Sequence, residues 1–268
     1  MNKSIITDPV FFLDGNYTEE DCTLIDSFFL KSEGSTYRAY INFCRCSDEF
    51  KSLDPEYFLS EYELEYFKFL IYERRIYSFL SGRFSAKKAV SALSGEWDLK
   101  KIVIKNGVFS QPVVVGEACS NIGVSLTHCD DLAAALAFSD ILVLGIDIER
   151  VSRNISRGIE AELTMYEKEL ACKALCSYDV FLLMLWTMKE SLSKCLKTGL
   201  TIPMNIFEVR ASDYDKGYYL STYTNFPQYN TATFFLDDYV CSVTYPRNTE
   251  LIIDTGKFIS NFDNYCKG

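Results

Sequence analysis

Apolar positions along the chain follow two rhythms in turn. Across 55–93 they fall three and four residues apart, with Phe58, Tyr62, Tyr66, Phe69 and Leu70 on one face. That spacing predicts helix, with a break near Gly82. From Lys100 to Gly145 the pattern changes to short β-rich runs (KIVIK, QPVVV, IGVSLT, LAAALAF, ILVLGIDIE) separated by turn residues. Helical periodicity returns over 160–198 as two helices parted around Ser177. Gly199 and Pro203 supply the stop signal. The stretch 205–245 is strand-like again, in FEVR, YYLSTYT, TATFFL and YVCSVTY. Helix then strands, twice over, predicts an α+β fold of two similar halves. We place the junction just before GIDIE, giving halves 1–144 and 145–268.

Composition narrows the function classes. The 268 residues are 48% hydrophobic and carry a net charge of −10, which suits a globular protein and argues against a nucleic-acid-binding surface. No run reaches the ~20 apolar residues of a membrane span, and Asp8 and Asp14 interrupt the N-terminal stretch where a signal peptide would stay apolar. The ten cysteines form no CxxC pair, and His128 is the only histidine. A Cys/His zinc site is therefore not indicated. The cysteines read as reduced, mostly buried small hydrophobes of a cytoplasmic protein. Charge is unevenly spread: nine Lys/Arg and three acids lie within 68–105, a basic island in an acidic chain. Such an island suits a local anionic partner or a solvated helix face.

Four short segments carry candidate chemistry. In GIDIE, strand alternation puts Asp147 and Glu149 on one face, with Ile146 and Ile148 on the other. Two neighbouring carboxylates suit a hard divalent cation completed by phosphate and water, or a strand end turned to solvent. In WTMKESLSKCLKTGL, Glu190 and Lys194 share a helix face and Lys197 extends the polar stripe. In LSGRFSAKKAV, Gly82 permits close approach, while Arg83 and Lys87 lie one turn apart and could hold a diphosphate or decorate a helix. His128 follows a strand in SLTHC, a position open to catalytic or structural use. Neither a GxxxxGK[ST] loop nor a kinase signature is present.

Taken in order, GR-xxx-KK, Thr-His, GIDIE and W-xx-KES-xx-K resemble the Sfp-type 4′-phosphopantetheinyl transferases over about 60–210. ERRIYSFLSGRFSAKKAV resembles the enterobactin-synthase branch. The resemblance implies a monomer whose two halves are related by pseudo-twofold symmetry, each with a small antiparallel sheet and a long helix, and an active site in the cleft between them. It also implies transfer of the 4′-phosphopantetheine arm of coenzyme A to a serine of an apo acyl or peptidyl carrier protein, releasing adenosine 3′,5′-bisphosphate. Mg²⁺, or Mn²⁺, would be held by Asp147, Glu149 and Glu190. Glu190 would be the base and Lys194 would steady the diphosphate. Thr127 and His128 would contact the 3′-phosphate end, and Arg75, Arg83, Lys87 and Lys88 would form a basic wall. Gln111-Pro112 stands where many relatives have Lys-Pro near the adenine. A different Mg²⁺-dependent phosphotransferase and a non-catalytic carrier-binding module are the rival readings.

Overall fold

A computed structural model describes residues 22–151, 156–174 and 176–267. The chain opens with a long hairpin, β1 (Thr23–Ser32) and β2 (Ser35–Arg45). The helices α1 (Asp48–Lys51), α2 (Glu61–Phe67) and α3 (Glu73–Ser94) follow, then a small hairpin of β3 (Val103–Asn106) and β4 (Pro112–Val115). After β5 (Ile122–Cys129) and β6 (Leu132–Ser139) the chain enters β7 (Gly145–Arg150). Next come α4 (Ser156–Ala161), α5 (Met165–Cys172) and α6 (Tyr178–Cys195). The meander β8 (Val209–Asp215), β9 (Tyr218–Tyr223), β10 (Tyr229–Leu236) and β11 (Tyr239–Pro246) leads to β12 (Glu250–Ile252) and α7 (Thr255–Lys267).

Two five-stranded antiparallel sheets result. One has the order β12-β1-β2-β6-β5 and the other β7-β11-β10-β9-β8. α3 packs on the first sheet through Phe84, Ala86, Ala89 and Val90, and α6 on the second through Leu182, Leu185, Met188 and Leu192. A third core joins the inner faces of the sheets and receives Phe258 and Phe262 of α7. The mixed α+β class expected from the alternation is present. The segment after 249, however, returns to the first sheet, where Phe29 pairs with Ile252.

Each long helix is seated by the same device. Ser60 and Glu63 form a capping box at the start of α2, and Thr164 and Glu167 form one at the start of α5. Glu63 is buried. It accepts hydrogen bonds from Ser60 N (2.9 Å) and Ile104 N (3.0 Å) and pairs with Lys87 Nζ of α3 at 2.5 Å. Glu167, also buried, accepts from Thr164 N (2.9 Å) and Val209 N (2.9 Å) and pairs with Lys189 Nζ of α6 at 2.7 Å. A buried pair of this kind is tolerated because hydrogen bonds satisfy the remaining charge.

The 55–93 region departs from its periodicity. Helix stops at Phe67 and restarts at Glu73, and α3 runs unbroken through Gly82. A side chain at Gly82 would begin 2.4 Å from His128 Nε2, so this glycine makes room and does not break the helix. Tyr62, Tyr66 and Phe69 are exposed while Glu63 is buried, because the capping carboxylate is drawn inward by Lys87. The ILVL run before GIDIE is a connection, with the strand beginning only at Gly145.

Candidate functional site

The chemistry collects where edge strand β5 of one sheet runs beside edge strand β7 of the other. Alternate residues of β5 reach across. Ser125 Oγ accepts from Ile146 N (3.1 Å), Thr127 Oγ1 donates to Asp147 Oδ1 (2.8 Å), and Cys129 Sγ accepts from Arg150 N (3.1 Å) and meets Glu149 Oε2 at 3.6 Å. The polar face of IGVSLTHC at positions 125, 127 and 129 was the available signal for this seam.

Helix α6 supplies the third side of the site. Lys194 Nζ lies 2.6 Å from Asp147 Oδ1, so that oxygen is bonded by both Lys194 and Thr127. Asp147 Oδ2 is buried with no protein partner. Such an orphaned carboxylate oxygen costs stability unless a ligand meets it. Desolvation and the neighbouring Asp147 charge push Glu149 up to about 7, and Glu190 is raised for the same two reasons while Lys194 opposes the shift. Among the described residues no three His, Cys, Asp or Glu side chains form a preformed metal cage. Asp147, Glu149 and Glu190 still sense one another electrostatically, and their hard oxygen donors fit a divalent cation that takes its other ligands from phosphate and water.

The close approach of α6 to β7 has two causes. At Gly145 a Cβ would sit 2.0 Å from Ser191 O, so only glycine lets the helix backbone lie against the strand. A buried ladder of hydroxyls then ties α6 to the second sheet. Thr187 meets Ser242 (2.9 Å) and Ser242 meets Thr233 (2.8 Å). Ser191 meets Thr244 (2.6 Å), Thr244 meets Thr231 (2.7 Å), and Tyr223 OH bonds Thr231 and donates to Met188 O. Thr187 and Ser191 flank Glu190 on the helix, so the ladder fixes the rotation that aims Glu190 and Lys194.

Residues 143–244 match the 4′-phosphopantetheinyl transferase superfamily. The matched span runs from just before β7 to the end of the second sheet, and so contains Asp147, Glu149, Glu190 and Lys194. The match supports phosphopantetheine transfer in general. No curated protein matches the chain significantly. No helix among the described residues is long and apolar enough to cross a membrane.

The remaining expected residues are placed differently from one another. His128 leaves β5 on the face opposite Thr127 and is exposed, with its ring against α3 at Gly82. Lost hydration on that side lowers its pKa to about 4, helped by the Lys194 and Arg83 charges and opposed by a hydrogen bond with the Ser78 backbone. Arg75 is exposed near the start of α3. The expected basic wall does not form from Arg83 and Lys87, because both turn inward onto Glu63. Arg83 Nε lies 3.7 Å from Glu63 Oε1, and Lys87 is fully buried. Lys88 lies over the Phe84 ring at 5.9 Å. Gln111 closes its own turn by accepting from Phe109 N (2.9 Å). With Pro112 it lines a cavity of about 470 Å³ that also reaches Ser125 and Lys194. Lys197 does not extend the helical stripe: α6 is capped at Leu196 and Lys197 lies beyond it.

Proposed function

We propose that the protein transfers the 4′-phosphopantetheine arm of coenzyme A to a serine of an apo acyl or peptidyl carrier protein, with Mg²⁺ as the working cation and Mn²⁺ as a substitute. The observation that carries this reading is Asp147. One of its oxygens is bonded by Thr127 and Lys194 while the other is buried and free, within the superfamily-matched segment. When bound, the cation would be held by Asp147, Glu149 and Glu190 and would offset the charge of the diphosphate.

In this mechanism Glu190 accepts the proton of the carrier serine. Its raised pKa makes it a better base than an exposed carboxylate. The serine Oγ forms a bond to the β-phosphorus, and the bond from that phosphorus to the bridging oxygen breaks. Adenosine 3′,5′-bisphosphate leaves, and Lys194 balances negative charge growing on the leaving oxygen. Thr127 is committed to Asp147 and orients that carboxylate, so contact with the 3′-phosphate falls to His128, with Arg75 nearby on α3. The cavity lined by Gln111, Pro112 and Lys194 takes the nucleotide end.

We read the enzyme as Sfp-type, of the enterobactin-synthase branch, monomeric and cytoplasmic. Its two helix-on-sheet units are then pseudo-twofold relatives with the active site at their seam. The test is incubation with a panel of apo carriers, coenzyme A and Mg²⁺, followed by intact-mass measurement. A mass gain of one phosphopantetheine group on a carrier, lost with excess chelator, is expected. No gain on any carrier class would overturn the reading, and full gain in chelator would remove the metal from it.

A further inference from the structure

The C-terminus of α6 is closed by a Schellman arrangement. Thr198 N donates to Ser193 O (3.1 Å), Lys197 N donates to Lys194 O (3.1 Å), and Lys197 has φ +58°. This left-handed position is the one where glycine is strongly favoured, since a Cβ there crowds the carbonyl. A long side chain with no hydrogen-bonding role in the cap stands there instead. Among the described residues Lys197 has no hydrogen bond or ion pair from its ammonium group.

Lys197 is exposed and is among the residues that line the same cavity as Lys194. Much of the cavity wall is apolar, from Val113, Val124 and Leu144, and Asp140 is the remaining charged residue on its lining. Two lysines three residues apart therefore border one cavity, and Lys194 is the one already committed to Asp147. A cation at a sterically unfavourable position, with no hydrogen bond or ion pair among the described residues and three residues from a second lysine, is suited to an anion that enters from outside.

We infer that Lys197 is a further substrate-binding residue that holds the diphosphate of coenzyme A from the cavity side, while Lys194 holds it from the Asp147 side. The inference rests on the reading of this site as a coenzyme A site and adds a contact to it. Because the cap itself would be relaxed by glycine, stability and binding should respond in opposite directions.

The experiment is calorimetric titration of the full chain, with Mg²⁺, using coenzyme A and 3′-dephospho-coenzyme A. The wild type is compared with Lys197→Gly, Lys197→Gln and Lys197→Arg. In the Gly and Gln variants Kd should rise about three- to tenfold for both ligands, as expected for an exposed charge-assisted contact. Lys197→Arg should recover most of the affinity, and the Tm of Lys197→Gly should equal or exceed that of the wild type. Unchanged Kd in Gly and Gln, a loss confined to coenzyme A, or a loss equally large in Arg would each overturn the inference while leaving the site reading intact. A wild-type protein that binds neither ligand would overturn both.

Discussion

Beneath α3 lies Glu63 with Lys87, and beneath α6 lies Glu167 with Lys189, each carboxylate also accepting from its capping-box residue and from a strand N–H. Setting the two units in register from these lysines brings Ser85 opposite Thr187 and Lys88 opposite Glu190. Strand pairing extends the comparison to the sheets, with an offset three residues larger. Arg45 pairs with Leu132 at the start of β6, and Arg150 pairs with Tyr239 at the start of β11. Asn42 therefore corresponds to Asp147 and Cys44 to Glu149. One unit carries Asn, Cys and Lys where the other carries Asp, Glu and Glu. The first unit has no carboxylates at these positions, so the architecture by itself does not require the acids of the second. Both units still bury unsatisfied polar atoms there, Nδ2 and Oδ1 of Asn42 and Oδ2 of Asp147.

The sharpest break of this comparison is Glu190→Gln. It should lower kcat/KM by about 10²–10⁴-fold through loss of the base, with circular dichroism unchanged. A folded variant working at the wild-type rate would return Glu190 to the status of its counterpart in the first unit.

Next in size are Lys87→Met and Lys189→Met. Lys189→Met leaves buried Glu167 uncompensated and should cost about 3–5 kcal/mol by urea denaturation, while Lys87→Met leaves Glu63 with Arg83 at 3.7 Å and should cost less. A large cost in one unit and none in the other would show that the two pairs are not equivalent.

An exchange between the units separates chemistry from stability. Asp147→Asn should abolish most transfer while leaving Tm unchanged or higher. Asn42→Asp should leave a buried carboxylate unpaired and cost roughly 2–4 kcal/mol. Equal stability of both variants would contradict the assignment of the acids to function.

The smallest effect concerns pH. Glu149 is raised from 4.5 to about 7 by desolvation and Asp147, so between those values the folded state binds more protons than the unfolded one. Stability contributed by its protonated form is then lost as pH rises from about 4.5 through 7. In chelator, Glu149→Gln should flatten that decline in Tm. An unchanged slope would place the titration elsewhere.

Much of the second unit was legible in the sequence. GIDIE alternates so cleanly that the shared face of Asp147 and Glu149 follows from strand geometry, and the i, i+4 spacing of Glu190 and Lys194 follows from the helix. The first unit was harder to read. Glu63 and Lys87 lie on different helices, and only tertiary packing turns a charged residue inward while Tyr62 and Tyr66 stay outside. Gly82 resembled a breaker because sequence cannot show a histidine ring arriving from β5. The hydroxyl ladder of Thr187, Ser191, Thr231, Ser242 and Thr244 was hidden because serine and threonine on strands read as solvent-facing until the helix above them is placed.

The return of the chain through β12 and α7 has a consequence for biosynthesis. Tyr265 OH donates to Cys22 O and accepts from Arg45 N (2.6 Å), while Phe262 packs edge-on to Phe43 at 4.8 Å. The first sheet is thus translated early but lacks its clasp until residue 265 has emerged from the ribosome. Among the described residues alone, the outer edge of β1 and the face awaiting Phe258 and Phe262 remain open to foreign strands and apolar surfaces throughout synthesis of the second unit. The nascent chain is consequently exposed to aggregation until the far end arrives, and chaperone demand should track the length of that wait.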